Sequence, residues 1–344
     1  MTSPATPTGT QADPQTDTIR LRRSFAAAAT TVFDAWLDPA WLSRWMFGPE
    51  VRDERIVELA LEPRLGGAFS FRVERGGTAF EHAGRYTQLD RPARLGFTWG
   101  AWRTDQPGTA DSEVEIAIAA DDDGCALTLR HRLSADGAAW AERTEAGWAR
   151  MLDALAAALA ADAPGQRIGT DTLRFERRLP GPLARAWACL IEPARRARWL
   201  ADGPLALTPG GDVALQFRNA ELSRDDDPAP PPYRSFENEG EVFGVTLRCE
   251  APHRLTLTWS DMPGEPEPED SEVDIALQDD GDQVRLTLTH SRLMPEELAM
   301  IAGGWHTHLG LLDDLLRGRA PRQFWRTFAR MEATYAERFA REAR

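Results

Sequence analysis

The sequence predicts an α+β protein made of two tandem domains with the same architecture. Two long helical patterns, over residues 138–161 and 295–317, each carry an apolar face and follow several short segments of alternating apolar and polar residues. The length of 344 residues exceeds what one ordinary core supports, and 42% apolar residues suffice for two cores. Each domain is therefore expected to be a curved antiparallel sheet wrapped around its final long helix.

Each copy opens with a short strand followed by two short helices. Thr31 and Asp34 have the spacing of a helix-capping box, and Asp38-Pro39 and Glu192-Pro193 end the first helix of each copy. The matched positions, first copy before second, are 17–20 with 171–174, Ala35-Trp36 with Ala186-Trp187, Arg44-Trp45 with Arg198-Trp199, Gly66-Gly67 with Gly210-Gly211, and Phe71-Arg72 with Phe217-Arg218.

The later strands of the two copies match more closely. Apolar and polar residues alternate in each of them, which is the pattern of an antiparallel strand with one buried face. The matched segments are 95–99 with 255–259, 112–118 with 271–277, and 127–131 with 286–290. Because so many matches occur in the same order, the sequence indicates duplication of a whole domain.

The repeat sets the predicted domain boundaries. The first domain is expected over residues 17–162 and the second over 171–317, joined by a linker over 163–170. Residues 1–16 are rich in Thr, Pro and Gln and are expected to form a disordered leader.

Residues 318–344 have no counterpart in the first copy and are expected to form an extra amphipathic helix. Its apolar face carries Phe324, Phe328, Met331 and Tyr335 at helical spacing. Exposing these side chains to water would cost several kcal/mol, at roughly 25 cal/mol per Å². We therefore expect this face to pack on the first domain or on a second chain, so that the helix could serve a protein partner or self-association.

The composition limits the classes of partner and of chemistry. The formal charge of −14 disfavours binding to nucleic acid. All 40 basic residues are arginine, which excludes a Schiff-base lysine and a phosphate-loop lysine. The three cysteines are widely spaced, no apolar segment is long enough to span a membrane, and the first residues lack a secretion signal. These features favour a cytoplasmic protein.

The order of elements and the matched residues resemble the START-type helix-grip superfamily, also called SRPBCC. Within it, they resemble proteins like the C-terminal domain of the activator of the heat-shock protein 90 ATPase. Gly147-Trp148 and Gly304-Trp305, in the final helices, complete the residues that carry this resemblance, which covers nearly all of residues 17–317. The resemblance implies a fold with interior space for a ligand and no shared catalytic residue.

Several side chains are expected to face the two interiors. His131 and His290 share the strand parity of the leucines that precede them, so both should point inward. His308 lies on the inward face of the last helix of its copy, where the first copy has Met151, whereas His306 should point away and be exposed. The candidate cavity residues are His290, His308, Trp305 and Trp259 in the second copy, and His131, Trp148, Met151 and Trp99 in the first.

The sequence assigns no catalytic residue and no cofactor, because none of the common catalytic or nucleotide-binding motifs is present. A zinc site formed by His290, His308 and an unnamed carboxylate is one alternative to ordinary buried histidines. Glu81 beside His82, matched with Glu237 in the second copy, could form an acid–base pair, although solvated strand charges explain them more simply.

The leading hypothesis is non-catalytic binding of a small, largely apolar molecule. The second domain, with His290 and His308, is favoured because His308 stands where the first copy has Met151 and should make the second interior more polar. A co-chaperone-like interaction module and a cyclase- or hydrolase-type enzyme are the alternatives. Neither nucleic acid nor a membrane-spanning segment is expected.

Overall fold

A computed structural model describes residues 18–49, 51–121, 124–223, 227–236, 240–264, 267 and 269–342. The predicted leader lies outside these residues. The chain divides into two compact units, Met1–Ala160 and Ala161–Arg344. No helix among the described residues is both long and apolar enough to cross a membrane.

The first unit contains one antiparallel sheet of seven strands in the order β1-β7-β6-β5-β4-β3-β2. Its strands are β1 Thr18–Phe25, β2 Arg55–Leu61, β3 Ala68–Arg75, β4 Thr78–Asp90, β5 Arg94–Arg103, β6 Ser112–Asp121 and β7 Gly124–Arg132. Its helices are α1 Ala29–Asp34, α2 Pro39–Trp45 and α3 Ala141–Ala161. Trp148 and Leu152 of α3 join the buried face of the sheet in one apolar core.

The second unit repeats this plan with the strand order β10-β11-β12-β13-β14-β9-β8. Its strands are β8 Gln166–Ile168, β9 Thr172–Pro180, β10 Asp212–Phe217, β11 Gly240–Glu250, β12 Arg254–Trp259, β13 Ser271–Asp280 and β14 Gln283–Ser291. Its helices are α4 Leu183–Ile191, α5 Pro193–Arg196, α6 Leu298–Leu316 and α7 Phe324–Glu342. The segment expected as a linker thus contains β8, an edge strand that pairs with β9.

The start of the first unit differs from the predicted cap. Helix α1 begins at Ala29, and no side chain caps its N-terminus, so the capping box predicted from Thr31 and Asp34 is wrong. Asp38 instead caps α2 by accepting a hydrogen bond from the backbone N–H of Ala40.

Alternation decides which strand residues enter the core. In β14, Val284, Leu286, Leu288 and His290 are buried, and the residues between them are more exposed. Because successive side chains of a strand point to opposite faces, the histidine at the end of this series is carried into the interior.

Helix α7 packs on α6 within the second unit. Its buried face contains Phe324, Phe328, Met331, Tyr335 and Phe339, which belong to the same core as α6. The expectation that this face packs on the first domain or on a second chain is therefore wrong. Helix α6 is apolar on more than one side, so it contacts the sheet through one face and α7 through another.

The segment before α7 packs closely on α6 at a glycine, Gly310. A Cβ atom at Gly310 would lie 2.1 Å from Cζ of Arg322, a buried arginine in the segment before α7. Any side chain at position 310 would displace that guanidinium group.

Three of the predicted matches between the copies are displaced. Trp45 Nε1 donates to the Ala35 carbonyl, and Trp199 Nε1 donates to the Cys189 carbonyl in the same way, so Trp36 corresponds to Leu190 rather than to Trp187. The dipeptides Ala35-Trp36 and Ala186-Trp187 look alike but are not equivalent. The spacing of each position from the buried tryptophan, Trp45 or Trp199, gives the correct alignment.

The other two displaced matches involve the strands after each glycine pair. Backbone hydrogen bonds join Gly66 to Tyr86 and Gly210 to Thr246, which makes these positions equivalent. Counting from them, Phe217 corresponds to Val73 instead of Phe71. By the same register, the counterpart of Glu81 is Glu241. Glu237, the predicted counterpart, lies outside the described residues.

Candidate functional site

The second unit contains a cavity of about 390 Å³ between its sheet, α6 and α7. Its lining is mainly aromatic and aliphatic, with a few polar side chains. The lining residues are Leu200, Phe217, Asn219, Tyr233, Trp259, His290, Met300, Ile301, Gly304, Trp305, His308, Phe324, Trp325 and Phe328. The four candidates predicted in the second copy all lie here, whereas the contribution of α7 was not predicted.

His290 belongs to a buried chain of hydrogen bonds. Trp305 Nε1 donates to His290 Nδ1 over 2.9 Å, and His290 Nε2 lies 2.9 Å from Ser271 Oγ. Because Ser271 donates its own proton to the Trp259 carbonyl over 2.8 Å, the hydroxyl must accept from Nε2–H. His290 is thus the neutral Nε2–H tautomer, and burial lowers its pKa to about 3.

The first unit contains the same chain of hydrogen bonds. Trp148 Nε1 donates to His131 Nδ1 over 3.0 Å, and His131 Nε2 lies 2.9 Å from Ser112 Oγ. Ser112 in turn donates to the Trp99 carbonyl over 2.5 Å. Burial lowers the pKa of His131 to about 4, so it is also neutral near pH 7. Both histidines therefore connect a strand to the long helix that follows the sheet, α3 in the first unit and α6 in the second.

His308 differs from both, because only one of its two ring nitrogens forms a hydrogen bond among the described residues. Its Nδ1 lies 2.7 Å from the Trp199 carbonyl, to which it can only donate. Burial lowers the pKa of His308 to about 4, so the ring is neutral and Nε2 carries a lone pair. Within the part of the chain that the structure describes, Nε2 has no hydrogen-bond partner.

Two further polar atoms of the lining are buried without a protein partner among the described residues. They are Nε1 of Trp325, an indole donor on α7, and Oδ1 of Asn219, which follows β10. Such atoms lose their hydration on burial and are normally paired in folded proteins. Because these two atoms have almost no accessible surface, a ligand in the cavity would meet Nε2 of His308 rather than either of them.

Several matched core positions carry a smaller side chain in the second unit than in the first. Trp36 of the first unit lies 6.2 Å from Phe97 and 6.0 Å from Trp148, measured between ring centroids. The equivalents of Trp36 and Phe97 are Leu190 and Leu257. Further large-to-small pairs are Phe69 with Val213, Phe71 with Leu215, Tyr86 with Thr246, and Phe47 with Ala201.

The four predicted cavity residues of the first copy thus lie in an aromatic core. Trp99, His131, Trp148 and Met151 are buried or half-buried there, and Trp99 and Trp148 contact each other with ring centroids 5.6 Å apart. The polar surface pockets described in this unit, such as the one beside Glu54, are not lined by these four residues.

Comparison with protein families identifies the fold. The sequence model of the family described as "Activator of Hsp90 ATPase homolog 1-like protein" matches residues 26–160 and again residues 180–317. The chain belongs to this family. Because each matched region contains most strands of one seven-stranded sheet and the long helix that follows them, the protein consists of tandem helix-grip domains.

Solved structures include similar proteins. A protein from Bordetella parapertussis is 42% identical, with 52% of this chain and 92% of that chain covered and a TM-score of 0.44. An AHSA1 protein from Silicibacter pomeroyi is 33% identical, with coverage of 42% and 99% and a TM-score of 0.37. DynU16, a putative protein in the dynemicin biosynthetic locus, is 18% identical, with coverage of 88% and 99% and a TM-score of 0.33. No significant match was found among curated proteins.

The acid–base pair considered for the first domain of this family member is not formed. Glu81 accepts hydrogen bonds from Ser70 Oγ and Trp102 Nε1, whereas its neighbour His82 is buried with Nε2 3.1 Å from an Arg75 nitrogen. Burial, reinforced by Arg75, lowers the pKa of His82 to about 3. The two side chains point to opposite faces of β4, as neighbours in a strand must.

The zinc alternative also lacks support from the geometry. Both ring nitrogens of His290 are engaged, by Trp305 and Ser271. Among the described residues, no group of three or more His, Cys, Asp or Glu side chains could hold a metal ion.

Sequence reasoning missed a buried ionic cluster on the other side of α6. His306, expected to be exposed, is 1% exposed because α7 covers it. Its Nδ1 lies 3.2 Å from the Tyr335 hydroxyl, and its Nε2 lies 3.3 Å from Asp162 Oδ2. Burial lowers the pKa of His306 despite the nearby carboxylate of Asp162.

Arg322 joins the parts of this cluster. It donates to Asp162 Oδ1 over 2.8 Å and to Asp314 Oδ2 over 3.0 Å. Burial alone would lower the pKa of Arg322, but the two carboxylates raise it above its usual value. Helical geometry alone placed His306 on an exposed face, and Arg322, which lies between two helical patterns, gave no signal in the sequence.

Proposed function

We propose that the second domain binds a small, largely apolar molecule in its cavity without transforming it. The observation that carries this proposal is the cavity of about 390 Å³ with its mainly aromatic and aliphatic lining. Since an apolar cavity of roughly 150 Å³ accommodates benzene, this volume suits a molecule of two or three rings or an aliphatic equivalent.

The histidines of the cavity favour binding over acid–base catalysis. A general acid or base works best with a pKa near the operating pH, and burial moves the pKa of His290 to about 3 and that of His308 to about 4. His290 is further restrained by hydrogen bonds at both nitrogens.

The proposal is tested with a neutral fluorescent probe, N-phenyl-1-naphthylamine, titrated into the full chain, together with native mass spectrometry for a retained molecule. We expect saturable binding of one probe per chain. A Gly304→Leu variant should weaken binding at least tenfold, because Gly304 lines the cavity and a Cβ there meets no atom within 4 Å.

Gly147→Leu is the matched control. Gly147 precedes Trp148 as Gly304 precedes Trp305, and a Cβ at position 147 also meets no atom within 4 Å. Its replacement should leave probe binding unchanged. Equal affinity in the wild-type chain and in Gly304→Leu would refute the second domain as the site.

A co-chaperone-like interaction role is the second candidate, supported by the family that both regions match. Addition of the full chain should then increase ATP hydrolysis by an Hsp90 protein in a coupled assay. Unchanged hydrolysis and no co-migration of the two proteins on a sizing column would count against this role.

A further inference from the structure

One ring nitrogen of His308 restricts the chemistry of the ligand. His308 uses Nδ1 to donate to the Trp199 carbonyl, so its remaining nitrogen can only accept. An acceptor in a mainly apolar cavity gains most from an O–H or N–H group of the ligand.

Charge restricts the ligand further. The described lining contains no arginine and no carboxylate, and both of its histidines are neutral near pH 7 because burial lowers the pKa of each. Tyr233, also in the lining, directs its hydroxyl to Glu332. A carboxylate or ammonium group placed here would lose its hydration without gaining an opposite charge, which is strongly unfavourable.

We propose that the ligand is an uncharged molecule with a hydroxyl group that donates a hydrogen bond to Nε2 of His308. Its apolar body contacts Trp259, Trp305 and Phe328. This inference rests on the proposed function, because it names the class of molecule held in the same cavity. The first domain has Met151 at the equivalent position, a side chain with only a weak acceptor.

The test uses three probes of one size that differ in a single substituent: naphthalene, 2-naphthol and 2-naphthoate. Each is titrated into the full chain at pH 7, and the dissociation constant is measured by fluorescence or calorimetry. We expect 2-naphthol to bind about three- to tenfold more tightly than naphthalene, the gain from one net hydrogen bond. We expect 2-naphthoate to bind more weakly than 2-naphthol by at least tenfold.

A His308→Met variant makes the second domain like the first at this position. Its affinity for naphthalene should stay within about twofold, while the preference for 2-naphthol disappears, because the hydroxyl then enters the cavity without a strong acceptor. Met151→Leu in the first domain is the control and should change neither affinity.

The outcomes separate this inference from the function on which it rests. Binding of naphthalene with no preference for 2-naphthol in the wild-type chain overturns the hydroxyl contact and leaves the apolar cavity as a binding site. Tightest binding of 2-naphthoate overturns the requirement for a neutral ligand. A chain that binds none of the three probes overturns both proposals. The wild-type comparison is decisive even where the variant fails to fold.

Discussion

The indole nitrogen of Trp305 donates to Nδ1 of His290 over 2.9 Å, and this bond joins the last helix of the second domain's repeat to its sheet. Trp148 and His131 form the same bond over 3.0 Å in the first domain. Because Trp305 also lines the cavity, the bond orients one wall of the candidate site. A buried polar contact of this kind fixes the position of a helix more specifically than apolar packing does.

The serine that completes each chain of hydrogen bonds should contribute to stability. Ser271→Ala leaves Nε2–H of His290 and the Trp259 carbonyl unpaired, which should lower the free energy of unfolding by about 1–3 kcal/mol. Ser112→Ala should have a similar effect on the first domain. Urea denaturation measures both. Ser260→Ala, whose hydroxyl only accepts from an exposed backbone N–H, is the control and should cost less than about 0.5 kcal/mol.

Stability should fall as the solution becomes mildly acidic. Burial lowers the folded-state pKa of His290 to about 3 and those of His131 and His308 to about 4, from 6.5 in the unfolded chain. Between the folded-state and unfolded-state pKa values, the unfolded chain binds more protons than the folded one. The stability that the neutral histidines contribute is therefore complete above pH 6.5 and is lost as the pH falls below it. Each histidine should lower the free energy of unfolding by about 1 kcal/mol when the pH falls from 7.5 to 5.5.

The midpoint of urea unfolding at the two pH values measures this effect. A His290→Gln variant should show a smaller decrease than the wild-type chain, because glutamine does not titrate. A wild-type midpoint that is the same at pH 7.5 and pH 5.5 would contradict the neutral, buried histidines.

Removal of Arg322 should strongly destabilise the second domain. Arg322→Met leaves the carboxylates of Asp162 and Asp314 buried without their shared partner, and breaking a buried ion pair in this way costs about 3–5 kcal/mol. Thermal unfolding followed by circular dichroism measures the loss. Arg195→Met is the control: its ion pair with Glu192 is half exposed and should contribute less than about 1 kcal/mol. Equal effects of the two changes would argue against the cluster.

Two glycines of α6 should respond oppositely to alanine. Gly304→Ala meets no atom within 4 Å and should stabilise the helix by up to about 1 kcal/mol. Gly310→Ala should destabilise by more than about 1 kcal/mol despite the same gain in helix propensity, because its methyl group would overlap the fixed guanidinium group of Arg322. Melting temperatures of the two variants distinguish these signs. Stabilisation by both changes would mean that Arg322 is free to move away.

Local pattern predicted most of the architecture. Strand alternation placed His131 and His290 on the inward face, and the helical period placed His308 beside Trp305, because both signals depend only on neighbouring residues along one element. The match of Trp36 with Trp187 was wrong because a shared dipeptide does not fix the alignment of two helices. The hydrogen bond from Trp45 to the Ala35 carbonyl does fix it.

The sequence by itself determined two copies of one α+β domain, the inward faces of their strands and helices, and the polar residue that distinguishes the second interior. The tertiary structure alone decided that α7 covers α6, that His306 is buried in an ionic cluster, and that Trp325 lines the cavity. Periodicity reports which face of an element avoids water, but the partner that covers this face depends on contacts between residues distant in the chain. The cavity likewise depends on contacts between distant parts of the chain, because its lining brings together Trp259 of the sheet, Trp305 of α6 and Trp325 of α7.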